Sequence, residues 1–106
     1  MPKYLFQASY TTQGVAGIRD RGGRSRVDAI TSTVEGVGGR VETLYFAFGD
    51  SDLIAVFDLP NNEAATALSL TVNASGAVSV KTTVLITPEE VDAAARLSVD
   101  YRPPGS

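Results

Sequence analysis

The chain has 106 residues, 43% of them hydrophobic and 20% charged, which is typical of one globular domain over residues 1–106. Its formal net charge is -3, which argues against nucleic acid as a partner because phosphate contacts need clustered cations. The sequence has no cysteine and no histidine, which excludes disulfides, thiolate nucleophiles and histidine proton shuttles. These absences also remove the usual zinc and haem ligands, and we expect no metal site and no cofactor.

The first half of the chain predicts a strand and two helices. The alternation of Lys3–Tyr10 predicts a strand, and Thr11 or Thr12 can cap a short helix after it. The pair Gly22-Gly23 interrupts that helix because glycine is a poor helix former. Ser25, with Asp28 three residues later, predicts the cap of a second helix, which ends at Gly38-Gly39.

The second half predicts three strands and two helices. Residues 40–48 and 53–59 are rich in aromatic and branched residues, and the four residues between them predict a β-hairpin. A helix follows from Asn61 or Asn62 to about Asn73, and residues 77–86 predict a fourth strand. The run Thr87-Pro88-Glu89-Glu90 is a capping box that begins a C-terminal helix. The order β-α-β-β-α-β predicts an α+β, ferredoxin-like antiparallel sheet with a C-terminal helix.

Alternation along the strands sorts their side chains onto two faces of the sheet. One face collects enough apolar residues to pack against the helices: Tyr4, Phe6, Leu44, Phe46, Phe48, Ile54, Val56, Val78, Val80, Val84 and Ile86. The other face collects Leu5, Gln7, Val41, Thr43, Tyr45, Leu53, Phe57, Ser79, Lys81, Thr83 and Leu85. This second face is too apolar to remain in water. We therefore expect a homodimer or higher homo-oligomer whose interface includes Leu5, Tyr45, Leu53, Phe57, Lys81 and Leu85.

Several stretches resemble the GYD-domain family. They are the initial MPKYL, FGDSD after an aromatic strand, ALSLTVNASGAVSVKTTVLITPEE and the final VDYRPPG. The resemblance implies the dimeric α/β-barrel superfamily, whose ferredoxin-like subunits pair through their sheets, but it implies no defined activity. In this alignment Ser51 stands where the family usually has tyrosine.

Three groups of polar residues are candidate site residues. Asp50 and Asp52 could bind Mg²⁺ or Ca²⁺ or act as a general base, or could simply stabilise a turn in which Gly49 has a positive φ. Arg24 and Arg26, in the segment RDRGGRSR, could hold a small anion at the start of the second helix, or lie in a solvated bend. Tyr45 could act as an acid–base group or pack at an interface.

These features leave two predicted functions open. The first is a homo-oligomeric module that binds a small molecule or has a structural role. The alternative is a cofactor-independent enzyme of the dimeric α/β-barrel kind that acts on a small aromatic or polyketide-like substrate. The N-terminus is too short and too polar for a signal peptide, and no apolar run has membrane-spanning length. We therefore expect a cytoplasmic protein with no membrane partner.

Overall fold

The computed structural model describes residues 1–105, which form four strands and four helices. The strands are β1 (Lys3–Tyr10), β2 (Arg40–Phe46), β3 (Leu53–Asp58) and β4 (Val78–Leu85). The helices are α1 (Thr12–Arg21), α2 (Gly23–Gly36), α3 (Asn62–Ala74) and α4 (Pro88–Ala95). None of these helices is long and apolar enough to span a membrane.

The four strands form one antiparallel sheet in the order β2-β3-β1-β4. The first and last strands of the β-α-β-β-α-β core therefore lie next to each other, as the right-handed crossovers of a ferredoxin-like fold require. Helix α2 packs over β2 and helix α3 over β4, on the same side of the sheet. The predicted α+β, ferredoxin-like fold is confirmed.

Local capping explains where most of the helices begin. The side chains of Thr11, Asn61 and Thr87 each accept a hydrogen bond from a backbone N–H of the first helical turn, as predicted. The prediction for α2 is wrong, because this helix begins at Gly23 and Ser25 lies inside it. Gly22 takes the capping position with a φ of 85°. This backbone conformation is strained for residues that have a side chain, and glycine adopts it readily.

The register of β3 corrects the assignment of residues to the two faces. Leu53 pairs with Ala8 and Phe57 pairs with Tyr4, and directly paired residues lie on the same face of the sheet. Leu53 and Phe57 are therefore buried under the helices and not on the opposite face where the sequence analysis placed them. Ile54, with 38% of its surface exposed, takes that place. Five consecutive apolar residues in β3 give no alternation from which the phase could be read.

The connection between β2 and β3 is longer than predicted. Strand β2 ends at Phe46, so the link comprises residues 47–52, and Gly49 has no positive φ. A β-bulge between Val41 and Thr43 shifts the register of β2. Val41 therefore pairs with Phe57 on the helix-covered face, opposite to its predicted face.

Helix α4 and the residues after it project away from the rest of the chain. The radius of gyration is 17.1 Å and the longest dimension is 58 Å, whereas about 13 Å is usual for a compact chain of this length. Residues 88–105 are all exposed, including the apolar side chains of Val91, Leu97 and Val99. We call residues 88–105 the C-terminal arm.

Candidate functional site

An apolar pocket of about 80 Å³ lies between the sheet and helices α2 and α3. Phe6, Ala8 and Val80 line it from the sheet, Ile30 lines it from α2 and Leu68 lines it from α3. The pocket exists because the two helices pack over opposite edges of the sheet and, within residues 1–105, do not pack closely on each other. The space between them is therefore not filled by core side chains.

Arg26, Tyr10 and Thr33 are the polar residues that line this apolar pocket, and the first two contact each other. Arg26 Nε donates a hydrogen bond to the Tyr10 phenolic oxygen at 3.4 Å, and the guanidinium carbon lies 5.9 Å from the centre of the tyrosine ring. A cation over an aromatic face is attracted by the ring quadrupole, which helps to fix the arginine. Both side chains are half-buried. The tyrosine thus orients the guanidinium without neutralising its charge.

A cleft of about 770 Å³ adjoins the apolar pocket along Tyr10, Arg26 and Thr33, which line both spaces. This volume is within the range of sites for small molecules. The charged residues that line the cleft are Asp20, Arg21 and Arg26, two cations against one anion. In the described residues 1–105, the ion pairs involve only Lys3 and Arg40 as cations, so no carboxylate pairs with Arg26.

The structure separates the two arginines that the sequence analysis had paired. Arg26 lines the apolar pocket and the cleft, whereas Arg24 is exposed and lines neither. Because Arg24 and Arg26 are two residues apart on α2, their side chains leave the helix in nearly opposite directions. Arg21, at the end of α1, is the other arginine that lines the cleft.

Within residues 1–105, no helix packs on the opposite side of the sheet, which we call the open face. Cross-strand pairing places Tyr45, Ile54, Gln7 and Lys81 in one row across all four strands. The next row comprises Thr43, Val56, Leu5 and Thr83. In these two rows, three of the four residues on the central strands β3 and β1 are therefore apolar, Gln7 being the exception, and the β4 edge is polar. Leu85, also predicted for the interface, lies opposite Lys3 at the end of this face.

A network of charged residues closes one end of the open face. The buried carboxylate of Asp58 accepts hydrogen bonds from Lys3 Nζ at 2.8 Å and from Arg40 at 2.5 Å. Lys3 Nζ also donates to Glu42 at 2.7 Å. The pKa of Asp58 lies below its usual value mainly because of the hydrogen bond that Lys3 donates to it, which outweighs the opposite effect of burial. The same bond is the main cause that raises the pKa of Lys3.

The three acid–base candidates do not meet Arg26. Tyr45 lies on the open face with 70% of its surface exposed, whereas Arg26 lies on the helix-covered side. Asp52 Oδ2 accepts a hydrogen bond from the backbone N–H of Tyr10 at 2.8 Å and so ties the hairpin link to β1. Asp50 is exposed. In residues 1–105, no cluster of three or more acidic side chains is arranged to hold a metal ion.

Comparison with known protein families identifies the chain. The family model described as GYD domain matches residues 4–95 of the 106 residues. The chain is a member of the GYD-domain family. The match includes nearly all of β1 and extends to Ala95, the last residue of α4, so it confirms the predicted family over the whole folded core. No curated protein sequence matches the chain.

Sequence reasoning did not select two features of this GYD domain as parts of the site. The first is Tyr10, which orients Arg26 from the end of β1, sixteen residues earlier in the chain. The second is the apolar pocket, since a gap between two helices that pack on different strands leaves no local pattern in the sequence. The strongest signal in the sequence was the excess of arginines in the segment RDRGGRSR.

Proposed function

We propose that this GYD domain is a homo-oligomeric module that binds a small anionic molecule between its sheet and its helices. The observation that carries the proposal is the meeting of the apolar pocket and the cleft at Arg26. The helix-covered side of the sheet would hold the ligand. The open face would hold a second copy of the chain.

The ligand part of the proposal is supported by the electrostatics around Arg26. A half-buried guanidinium loses part of its hydration, and an ionic partner would compensate for that loss. Here its neighbour is the neutral phenol of Tyr10, and no carboxylate within residues 1–105 pairs with it. An anion that enters through the cleft would supply this missing charge and could accept a bidentate pair of hydrogen bonds.

The oligomer part is supported by the composition of the open face. Leu5, Val56 and Ile54 are neighbours on the two central strands, and Tyr45 extends the apolar area onto β2. Monomeric proteins rarely leave a contiguous apolar sheet face in water, since burying each large side chain is worth roughly 1.5–3 kcal/mol. A second copy of the chain is the simplest partner because it is present wherever the chain itself is present. A two-fold axis between the two copies would cover both open faces at once.

The C-terminal arm supports the same conclusion from a different part of the chain. Its helix α4 is well capped at Thr87, yet none of its residues is buried. Leu97 and Val99, just after the helix, have exposed fractions of 72% and 80%. Helices of eight residues are marginal in isolation, so tertiary contact normally maintains them. We propose that the arm of one subunit packs on the other subunit.

A thermal-shift screen tests the ligand part with a matched pair of variants. We expect at least one class of small anion, among phosphates, carboxylates and acyl anions, to raise the Tm of the wild type. Arg24→Gln should keep this shift and Arg26→Gln should lose it, because the two changes remove the same charge but only Arg26 lines the apolar pocket. Equal shifts in all three proteins, or no shift with any anion, would contradict the proposal.

No observation favours the enzyme alternative. Its candidate acid–base groups, Tyr45, Asp50 and Asp52, lie on the open face or in the hairpin link, apart from the arginine that was to hold the substrate. Tyr10 does contact Arg26 and has a phenol, but its phenolic oxygen accepts a hydrogen bond from the guanidinium. We therefore assign Tyr10 a role in orienting Arg26. The binding module is therefore the function that the geometry supports best.

A further inference from the structure

We infer that the ligand of this GYD domain is a small monocarboxylate with a short, branched apolar tail. The inference rests on the proposed function and specifies the ligand of that same site. The carboxylate would bind Arg26 where the apolar pocket meets the cleft, and the tail would enter the apolar pocket. Three observations on the charge, the volume and the lining of the site carry this assignment.

The charge of the site fits a monoanion. Arg26 and Arg21 line the cleft with Asp20 as the opposing charge, which leaves one positive charge in excess. A carboxylate neutralises that excess, whereas a phosphate monoester carries close to two charges at neutral pH and would leave the site negative. The carboxylate of Asp20 would then repel it. The planar guanidinium also matches the two oxygens of a carboxylate.

The volume of the apolar pocket limits the size of the tail. An apolar cavity of about 150 Å³ can take a benzene ring, so the pocket of about 80 Å³ has room for a group of about three or four carbon atoms. An isopropyl or isobutyl group meets this limit. An aromatic ring or a long straight chain would have to extend out into the cleft, where it gains less from burial.

The lining of the apolar pocket requires a tail without polar atoms. Beyond Arg26, Tyr10 and Thr33, every residue that lines it is apolar, including Phe6, Ile30, Val34, Leu53, Leu68 and Val72. Away from those three residues, a hydroxyl or ammonium group in the tail would lose its hydrogen bonds to water and find no partner. The site therefore favours a ligand with one charged end and one apolar end.

Titration calorimetry on the wild-type chain tests the ligand class directly. The probes are isovalerate, its neutral amide isovaleramide, acetate and isopropyl phosphate. We expect isovalerate to bind at least tenfold more tightly than isovaleramide, because the amide lacks the charge that pairs with Arg26. It should also bind at least tenfold more tightly than acetate, since the tail adds three carbons at roughly three- to fourfold each.

The Arg26 and Arg24 variants locate the site in the same assay. Arg26→Gln should weaken isovalerate at least tenfold, whereas Arg24→Gln should change its Kd by less than twofold. Circular dichroism checks that both variants are folded. If Arg26→Gln does not fold, the comparison of isovalerate with isovaleramide on the wild type still decides.

Several outcomes would overturn the inference. Isovaleramide that binds as tightly as isovalerate would show that charge does not select the ligand. Tighter, Arg26-dependent binding of isopropyl phosphate would make the ligand a phosphate while leaving the proposed anion site intact. The absence of any Arg26-dependent binding, here and in the thermal-shift screen, would overturn both the ligand class and the proposed function.

Discussion

Leu53→Glu is expected to prevent folding, whereas Ile54→Glu, one residue later, is expected to leave the chain folded. Only 3% of the surface of Leu53 is exposed, and its side chain lies in the core beneath the helices. An unpaired charge at this position costs several kcal/mol, which is comparable to the whole stability of a small domain, about 5–15 kcal/mol. Ile54 lies on the open face, where a carboxylate remains in water in the isolated chain. Circular dichroism distinguishes the two variants.

The same variant at position 54 tests whether the open face binds a second copy. We expect the wild type to sediment as an oligomer at micromolar concentration and Ile54→Glu as a folded monomer, because the interface would bury its charge. Leu70→Glu, an equivalent change at an exposed position on α3, is the control and should remain oligomeric. An Ile54→Glu variant as oligomeric as the wild type would exclude this face as the interface. A folded Leu53→Glu would contradict the register of β3.

Asp58→Asn is expected to destabilise the chain by about 2 kcal/mol at neutral pH. Asp58 is buried and accepts hydrogen bonds from both Lys3 and Arg40, and hydrogen bonds to charged groups contribute about 1.5–3 kcal/mol each. Asparagine keeps the shape of the side chain but loses its charge. Asp50→Asn, at an exposed position in the hairpin link, is the matched control and should change stability by less than about 0.5 kcal/mol. Urea denaturation measures both differences.

The pH dependence of this loss has a defined sign. The folded state lowers the pKa of Asp58 below its usual value of 3.8, so the unfolded chain binds the proton more readily than the folded chain. The stabilisation is therefore complete above pH 3.8 and is lost as the pH falls through the lower folded pKa. The gap between wild type and Asp58→Asn should close over this acidic range. A gap that remains constant down to the lowest pH at which the protein folds would contradict this account.

Local sequence signals predicted the elements of this fold well. The bounds of β1 agree with the structure, and Thr87 caps α4 as predicted. Thr11 and Asn61 are each one of the two caps that the sequence allowed. Each of these signals depends on residues within one turn of helix or one strand. Ser25 shows the limit of such signals, because Gly22 allows the chain to turn and α2 to begin two residues before the predicted cap.

The face of β3 was not predictable from local pattern. Leu53 to Phe57 are all apolar, so both phases of alternation are equally consistent with the sequence. Pairing with β1 decides the phase: Ala8 and Tyr4, opposite Leu53 and Phe57, are themselves buried. The phase of β3 therefore depends on long-range pairing. The β-bulge at Val41 and the six-residue link make the pairing of β2 with β3 harder still to count along the sequence.

The candidate site depends even more on long-range packing. The excess of arginines pointed to the correct region, but only the packing of α2 shows that Arg26 and not Arg24 lines the apolar pocket. In the sequence, Asp58 is one polar residue at the end of a strand. Its role became visible only when the register placed Lys3 and Arg40 on either side of it.

The central claim is that the two sides of the sheet have separate roles, with the ligand on the helix-covered side and the partner on the open face. The most direct measurement is a titration of the isotope-labelled wild type with isovalerate, followed by amide chemical shifts. We expect shifts at Ala8, Thr33 and Val80, which line the apolar pocket, and none at Thr43 and Thr83 on the open face. Shifts confined to the open face, or no saturable shift at the apolar pocket, would contradict the claim.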